Sequence, residues 1–464
     1  MNSSYQKKKQ SVFYIICFLL LFLSFFLNLF KVIPDDMYTE YETFVESLVV
    51  GKMAKAEKDG VLASAGFPGV NYDKNLVQDS LVRANVDRVE DMYVRDNIIN
   101  QFKLEQIKYY QNQEKTPDNY CVYVSHSGGQ AMFYYYVQKL LPFDKDVRYQ
   151  LLRALNCALL ALCFLLFIGW VYRNFDFVAA LVTFLFIFTS SWLVLFAGNG
   201  LWWSLWSFFA PFLTMLLLLE KKHCNPRQVS NVKILSWLFI AFLIKLAFSG
   251  LEFISTVMLT PFIPIVYYAW LERWKIKDFI IRSVNAGLVT LGAVVIQFAI
   301  LIVQLKYLLG DFSAAFQYLS DAFVKRSSFD NSANVYDAGD RFANSDTLSF
   351  LWNNIIKDYL RGDMYFWGFA PSSFQFFFAY LIGFIIVMAL VLFIITRNSL
   401  ERKYNAIILS TMLSVACPLS WYVIFKEHSF WHPQIDYIIW YMPFLLLGFT
   451  IVGVTLSKLF KRAD

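Results

Sequence analysis

Charge is scarce in this chain. Only 16% of its 464 residues are Asp, Glu, Lys or Arg, against about 25% in an ordinary soluble domain. A surface that poor in charge excludes a water-soluble enzyme, and it excludes a disordered chain, which is polar and charged throughout. The same composition excludes a nucleic-acid-binding domain. Cysteine is sparse too, at six residues. Cys17, Cys157, Cys163 and Cys417 fall inside apolar runs, Cys224 in a basic loop, and only Cys121 in a long hydrophilic segment. No disulfide framework is expected from that distribution. The two long hydrophilic segments also lack any Asn-x-Ser/Thr sequon, the lone one being Asn2-Ser3-Ser4. That absence favours a bacterial protein over one of the endoplasmic reticulum.

What is abundant is apolar and aromatic: 58% of residues are hydrophobic, and Phe alone contributes 48. Crossing the hydrocarbon core takes about 20 apolar residues. Such runs fall near 11–30, 151–171, 175–195, 200–219, 234–249, 251–271, 279–304, 374–396, 404–425 and 436–457. The expected fold is therefore an all-α polytopic membrane protein of about ten transmembrane helices. The first run follows Lys7, Lys8 and Lys9, as a signal peptide would. Its apolar core exceeds the roughly 7–15 residues of a signal h-region and no small-residue cleavage site follows, so it reads as an uncleaved first helix.

Lys and Arg alternate sharply between loops. Lys7–Lys9, Arg173, Lys221, Lys222, Arg227, Lys233, Arg273, Lys275, Lys277, Arg282, Arg397, Arg402, Lys403, Lys458, Lys461 and Arg462 fall on one side. The short loops of the other side carry only Lys426. Cytoplasmic loops attract cations, which places both termini in the cytoplasm of a bacterial inner membrane.

This layout divides the chain into a first helix (1–30), a first outer loop (31–150), helices two to seven (151–304), a second outer loop (305–373), and helices eight to ten with a cytoplasmic tail (374–464). The first outer loop is far too long to be without structure. Tyr41, Phe44, Val45, Leu48 and Val49 recur at helical spacing with Glu40, Glu42 and Glu46 between them, predicting an amphipathic helix over 38–57 that lies along the interface. Further helices are expected within 76–113 and over 129–141.

Four clusters could carry chemistry. Asp35 and Asp36 stand where the chain leaves the first apolar run. Adjacent carboxylates raise one another's pKa and suit general acid–base work or a divalent metal; they equally suit the cap of a helix starting at Met37. His428 and His432, four apart beside Lys426, could hold a metal or an anionic oxygen if helical. The bland alternative is an interfacial loop whose Trp431 and Tyr437 join the aromatic belt, and Pro433 opposes a continuous helix. Lys245 and Glu252 are ionisable groups in an apolar segment. At a helix centre such residues cost about 2.5–3.5 kcal/mol and are often functional, but Lys245 lies near the outer end, where snorkelling or pairing with Glu252 across the turn is the simpler role. Ser125-His126-Ser127-Gly128-Gly129-Gln130 brings two glycines, which allow close backbone approach to a ligand or a mere turn. In the second outer loop Lys325, Arg326, Arg341, Lys357 and Arg361 could meet a phosphate, although intervening acids make an ordinary solvated surface an equal reading.

Together these features resemble the GT-C superfamily of membrane glycosyltransferases, which includes protein mannosyltransferases and the lipid A aminoarabinose transferase. The resemblance rests on the Asp35-Asp36 pair after the first helix and on the two large outer loops. It rests also on Ser125-to-Gln130, Lys245…Gly250-Leu251-Glu252 and His428…His432…Trp440-Tyr441, which are similar to the motifs of a bacterial branch. Leu251 stands where that branch has Tyr, which puts any hydroxyl role there in doubt. The resemblance implies transfer of a sugar from a polyprenyl-phosphate donor to an extracytoplasmic glycan or lipid-linked acceptor at an outward-facing site. By similarity Asp35 or Asp36 would be the catalytic base. Lys245, His428 and His432 would meet the donor phosphate or sugar, and Glu40, His126, Gln130, Glu252, Lys426 and Arg361 complete the donor and acceptor candidates. No second carboxylate is evident as a nucleophile, so the reaction should invert the anomeric centre. A divalent metal is a candidate cofactor. The competing classes are an O-antigen polymerase or ligase, and a transporter or flippase using Lys245 and Glu252; against the latter, the chain has no inverted repeat.

Overall fold

The computed structural model describes residues 3–40, 43–86, 92–111, 114–327, 363–365, 375–397 and 401–463. These residues are mostly helical, with four short strands among them. Among the described residues eight helices are long and apolar enough to cross a membrane: Lys8–Leu27, Lys145–Asn174, Asn231–Ser249, Ile254–Glu272, Ile276–Leu309, Phe378–Thr396, Lys403–Ile424 and Phe444–Lys461.

The two remaining apolar runs are helical but interrupted. The run at 175–195 forms Phe177–Phe188, then a separate helix Ser191–Gly198. Thr189 Oγ1 and Ser190 Oγ donate to the carbonyls of Leu185 and Phe186 at 2.8 and 2.6 Å, competing with the backbone ladder where it stops. The run at 200–219 begins as Gly200–Trp203 and restarts at Trp206–Cys224 beyond Ser204, whose φ of 42° is left-handed. Apolar run length alone could not foresee these breaks, because hydroxyl side chains cost little hydropathy. The last run also starts late: a 3-10 stretch, Pro433–Tyr441, precedes the helix Phe444–Ala463.

The basic loops meet at one end of the bundle. Arg173 forms a two-pronged pair with Glu220, at 3.0 and 2.6 Å. Lys461 pairs with Asp176 at 2.9 Å, and Arg402 donates to the Trp270 carbonyl at 3.0 Å. These contacts join helix ends far apart in sequence, on the side where cations were expected to collect.

The first hydrophilic segment folds against the opposite end. Its central helix, Thr43–Asp59, is buried on every side from Val45 to Ala56. It is a core helix, and the expectation of a one-sided interfacial helix is corrected. The polar residues between its apolar positions have protein partners: Glu46 accepts from the Tyr149 hydroxyl at 3.2 Å, and Lys55 donates to the Asp118 carbonyl at 3.1 Å. Helices appear within 76–113, at Ser80–Ala84, Met92–Phe102 and Gln106–Tyr110, and over Gly129–Lys139. A two-stranded antiparallel ribbon was not foreseen. Gly69–Tyr72 pairs with Asn119–Val122, in the register Gly69 to Val122 and Tyr72 to Asn119. A Cβ at Gly51 would stand 2.3 Å from the Gly69 carbonyl oxygen, so glycine lets helix and ribbon touch.

The long helix Ile276–Leu309 rises past the bundle, and Gly310 (φ 84°) ends it. The chain then folds back as Phe312–Arg326. A small core of Phe67, Val122, Val124, Leu301, Leu305 and Ala315 joins ribbon, long helix and returning helix. Gln304 on the long helix donates to the carbonyls of Ala65 (2.8 Å) and Ser127 (3.0 Å). These elements enclose the site described next.

Candidate functional site

Where the returning helix leans over the bundle it leaves a cavity of about 270 Å³. One wall is apolar: Met258, Val294, Phe298 and Leu301 from the membrane helices, with Leu319 and Phe323 from the returning helix. Trp421 and Phe425 stack on each other at 4.6 Å and form another face. The polar groups are few: Ser125, Glu252, Ser255, Tyr318, Arg326 and His428. A large apolar surface with a few convergent polar groups is the usual make-up of a small-molecule site.

Each polar side chain has an evident cause for its position. Arg326 is the last residue of the returning helix, and its Nη2 donates to Ser125 Oγ at 2.9 Å. Glu252 sits on a tight turn after Ser249. Gly250 there has φ 53° and ψ −139°, open in practice only to glycine. A Cβ at Gly250 would also meet the His126 ring at 3.0 Å. Phe253 is left-handed (φ 50°), held by packing against Trp203, Phe208 and Trp421. Lys245 is wholly buried, and its ammonium donates to the carbonyls of Gly250 (2.8 Å) and Glu252 (2.5 Å). It holds the turn and does not line the cavity.

His428 Nε2 stands 4.0 Å from a Glu252 carboxylate oxygen, and His428 and His432 rings lie 4.9 Å apart. The pair falls within and just after a short helix, Lys426–Trp431, which stops before Pro433. Burial pushes the His428 imidazole well below its ordinary pKa, with His432 and Arg326 adding to the shift. It is therefore neutral at pH 7 and able to donate one hydrogen bond. His126 packs on Trp202 at 4.9 Å, and burial lowers its pKa to about 4. Its Nδ1 and both amide atoms of Gln130 are buried without a hydrogen-bond partner. Behind Trp421, whose indole donates to Asp436 at 3.1 Å, lies a fully buried carboxyl that the sequence did not single out.

Four motifs far apart in sequence thus converge: Ser125–Gln130, Lys245–Glu252, Arg326, and His428–His432. Gly128 and Gly129 serve this convergence. Cβ atoms there would meet the Gly66 and Ala247 carbonyl oxygens at 2.3 and 2.5 Å, so these glycines let the loop reach the membrane helix.

Asp35 and Asp36 do not join the cluster. They open the short helix Asp35–Glu40, both exposed, and neither lines the cavity. Asp35 pairs with Lys31 and accepts from Asn28 at 3.2 Å. The Lys31 ammonium holds its carboxyl below the usual range, which makes it a weaker proton acceptor. Glu40 closes that helix. Lys426 starts its own helix outside the cavity lining, and Arg361 lies outside the described residues. Among the described residues no three His, Cys, Asp or Glu side chains gather as a metal site. Arg326 was one of five loop cations in the sequence, and Lys325 shares its place at the end of the returning helix, so no sequence signal separated it.

No family model, curated protein or solved structure matches the chain.

Proposed function

We propose that the chain is an integral membrane glycosyltransferase that uses a polyprenyl-phosphate-linked sugar and modifies an extracytoplasmic glycan or lipid-linked acceptor. One observation carries this reading: a single cavity joins an apolar wall to a guanidinium, three hydroxyls, an imidazole and a carboxylate. A lipid-linked sugar phosphate has the same division into apolar tail, anionic joint and polar head. The isoprenoid lies along Val294, Phe298 and Leu301, and the phosphate meets Arg326, whose planar fork suits phosphate oxygens.

Glu252 is the carboxylate of the cavity and the base in this reading. The acceptor hydroxyl attacks the anomeric carbon and gives its proton to Glu252. The bond from that carbon to the phosphate oxygen breaks, and the polyprenyl phosphate leaves with the electron pair. Arg326 and a neutral His428 stabilise the charge that develops there, and the anomeric configuration inverts. The alternative base is the Asp35–Asp36 pair, acting from the rim on an acceptor that reaches it. The basic end of the bundle faces the cytoplasm of a bacterial inner membrane, and the cavity faces outward.

The test is transfer of radiolabelled sugar from synthetic polyprenyl-phosphate donors by the purified chain. Arg326→Gln should cost tenfold or more, because charged hydrogen bonds are worth about 1.5–3 kcal/mol. Ala322→Trp fills the cavity and should abolish transfer. Undiminished transfer in a folded Ala322→Trp variant would remove the cavity from the reaction.

A further inference from the structure

A second cavity, of about 150 Å³, opens at the opposite end of the helix Asn231–Ser249, among the basic loops. Leu219, Ile234 and Ile265 form its apolar floor, and Asn231, Asn285, Arg282 and Asp278 its polar rim. Arg282 is the unusual member. Its guanidinium lies 3.8 Å from the Trp274 ring centre and makes no ion pair or hydrogen bond among the described residues. Asp278, one helical turn earlier, is placed for an i,i+4 pair, yet no such pair forms.

The neighbourhood is otherwise committed. Glu272 accepts from Trp274 Nε1 at 2.6 Å and lies 2.8 Å from His223 Nδ1, so it leaves Arg282 uncovered. Lys222 bonds to Asn231 Oδ1 at the rim and stands close enough to Arg282 for their charges to repel. Arg282 thus lines a half-apolar groove with Lys222 close beside it, and the one carboxylate of the rim, Asp278, pairs with neither among the described residues. Ile281 and Val284 beside it are exposed, at 45% and 53%, and continue the apolar surface along the helix that faces lipid.

We propose that this groove binds the headgroup of an anionic phospholipid. The phosphodiester sits between Arg282 and Lys222, the Asn231 and Asn285 amides meet headgroup hydroxyls, and an acyl chain follows Ile281 and Val284. The site is separate from the transferase reading and stands without it. A lipid here would tie four helices together, because the groove is built from Trp206–Cys224, Asn231–Ser249, Phe262–Glu272 and Ile276–Leu309.

The experiment uses the full chain in neutral detergent, with phosphatidylglycerol added and both melting temperature and lipid adducts in native mass spectrometry recorded. Each Lys or Arg near an anionic headgroup is worth about fivefold in affinity. Arg282→Gln should weaken phosphatidylglycerol binding by about that factor, and Arg282→Gln with Lys222→Gln by more. Asp278→Asn removes the one opposing carboxylate of the rim and should tighten it, which guards against reading a misfolded variant as a lost site. Phosphatidylcholine and inorganic phosphate should leave the melting temperature unchanged. Equal stabilisation by phosphatidylcholine, or by inorganic phosphate alone, would overturn the proposal. So would unchanged phosphatidylglycerol affinity in both the Gln and the Asn variants.

Discussion

The Lys245 ammonium binds the backbone on either side of Glu252's turn, reaching the carbonyls of Gly250 and Glu252 at 2.8 and 2.5 Å. A buried lysine that satisfies two carbonyls fixes the loop in one conformation. It presents the Glu252 side chain to the cavity while itself staying behind the turn.

Lys245→Met, which keeps length and apolar bulk, should therefore act through geometry. Two charged hydrogen bonds disappear, each worth about 1.5–3 kcal/mol, and the carbonyls are left buried without partners. Thermal stability should fall, and kcat for sugar transfer should fall at least tenfold, with a smaller change in the donor KM. A direct phosphate contact would show the reverse pattern, a raised KM at preserved kcat. Steady-state kinetics over a donor series separates the two.

The sequence made the membrane helices legible because their signal is long and additive. It also exposed the individual motifs. Ser125–Gln130, Lys245–Glu252 and His428–His432 do meet, but only tertiary packing distinguishes a lysine that faces a ligand from one that faces two carbonyls. The same limit applied to Thr43–Asp59. Glu46 read as part of a polar face, yet it is buried with the Tyr149 hydroxyl as its partner, as Lys55 is with the Asp118 carbonyl. Arg326 could not be chosen from five loop cations without knowing that its helix folds back over the bundle.

Glu252→Gln removes the proton acceptor at the cavity while keeping size and hydrogen bonding. Positioned general base catalysis is worth about 10²–10⁴-fold, and a loss of that size is expected. Asp35→Asn and Asp36→Asn should retain most activity, because Asn caps a helix about as well as Asp. The three purified variants, each with its melting temperature confirmed, are compared in one transfer assay. Loss in an Asp variant and retention in Glu252→Gln would move the base to the acidic pair.

Orientation is open to direct reading. Reporters fused after Arg173, Lys222, Lys275 or Lys403 should report a cytoplasmic position, and a fusion at Asn75 an external one. Asn75 belongs to the folded segment that carries Ser125 and His126. A cytoplasmic reading there would place the cavity on the wrong side for an extracytoplasmic acceptor.

His126 makes stability depend on pH in a defined direction. Burial lowers its pKa from 6.5 to about 4 in the folded chain, so protonation favours the unfolded state. Its stabilising contribution is complete above pH 6.5 and is lost as pH falls from there toward 4. Each unit of difference is about 1.4 kcal/mol, so lowering pH from 7 to 5 should cost roughly 2 kcal/mol at this residue. His428 shifts in the same direction and adds to the loss. His126→Gln keeps a hydrogen-bonding side chain of similar reach that does not titrate in this range. The variant should melt at a lower temperature at pH 7, yet lose less stability than the wild type between pH 7 and pH 5. Parallel melting curves against pH for the two proteins would mean that the buried imidazole is not what senses the acid.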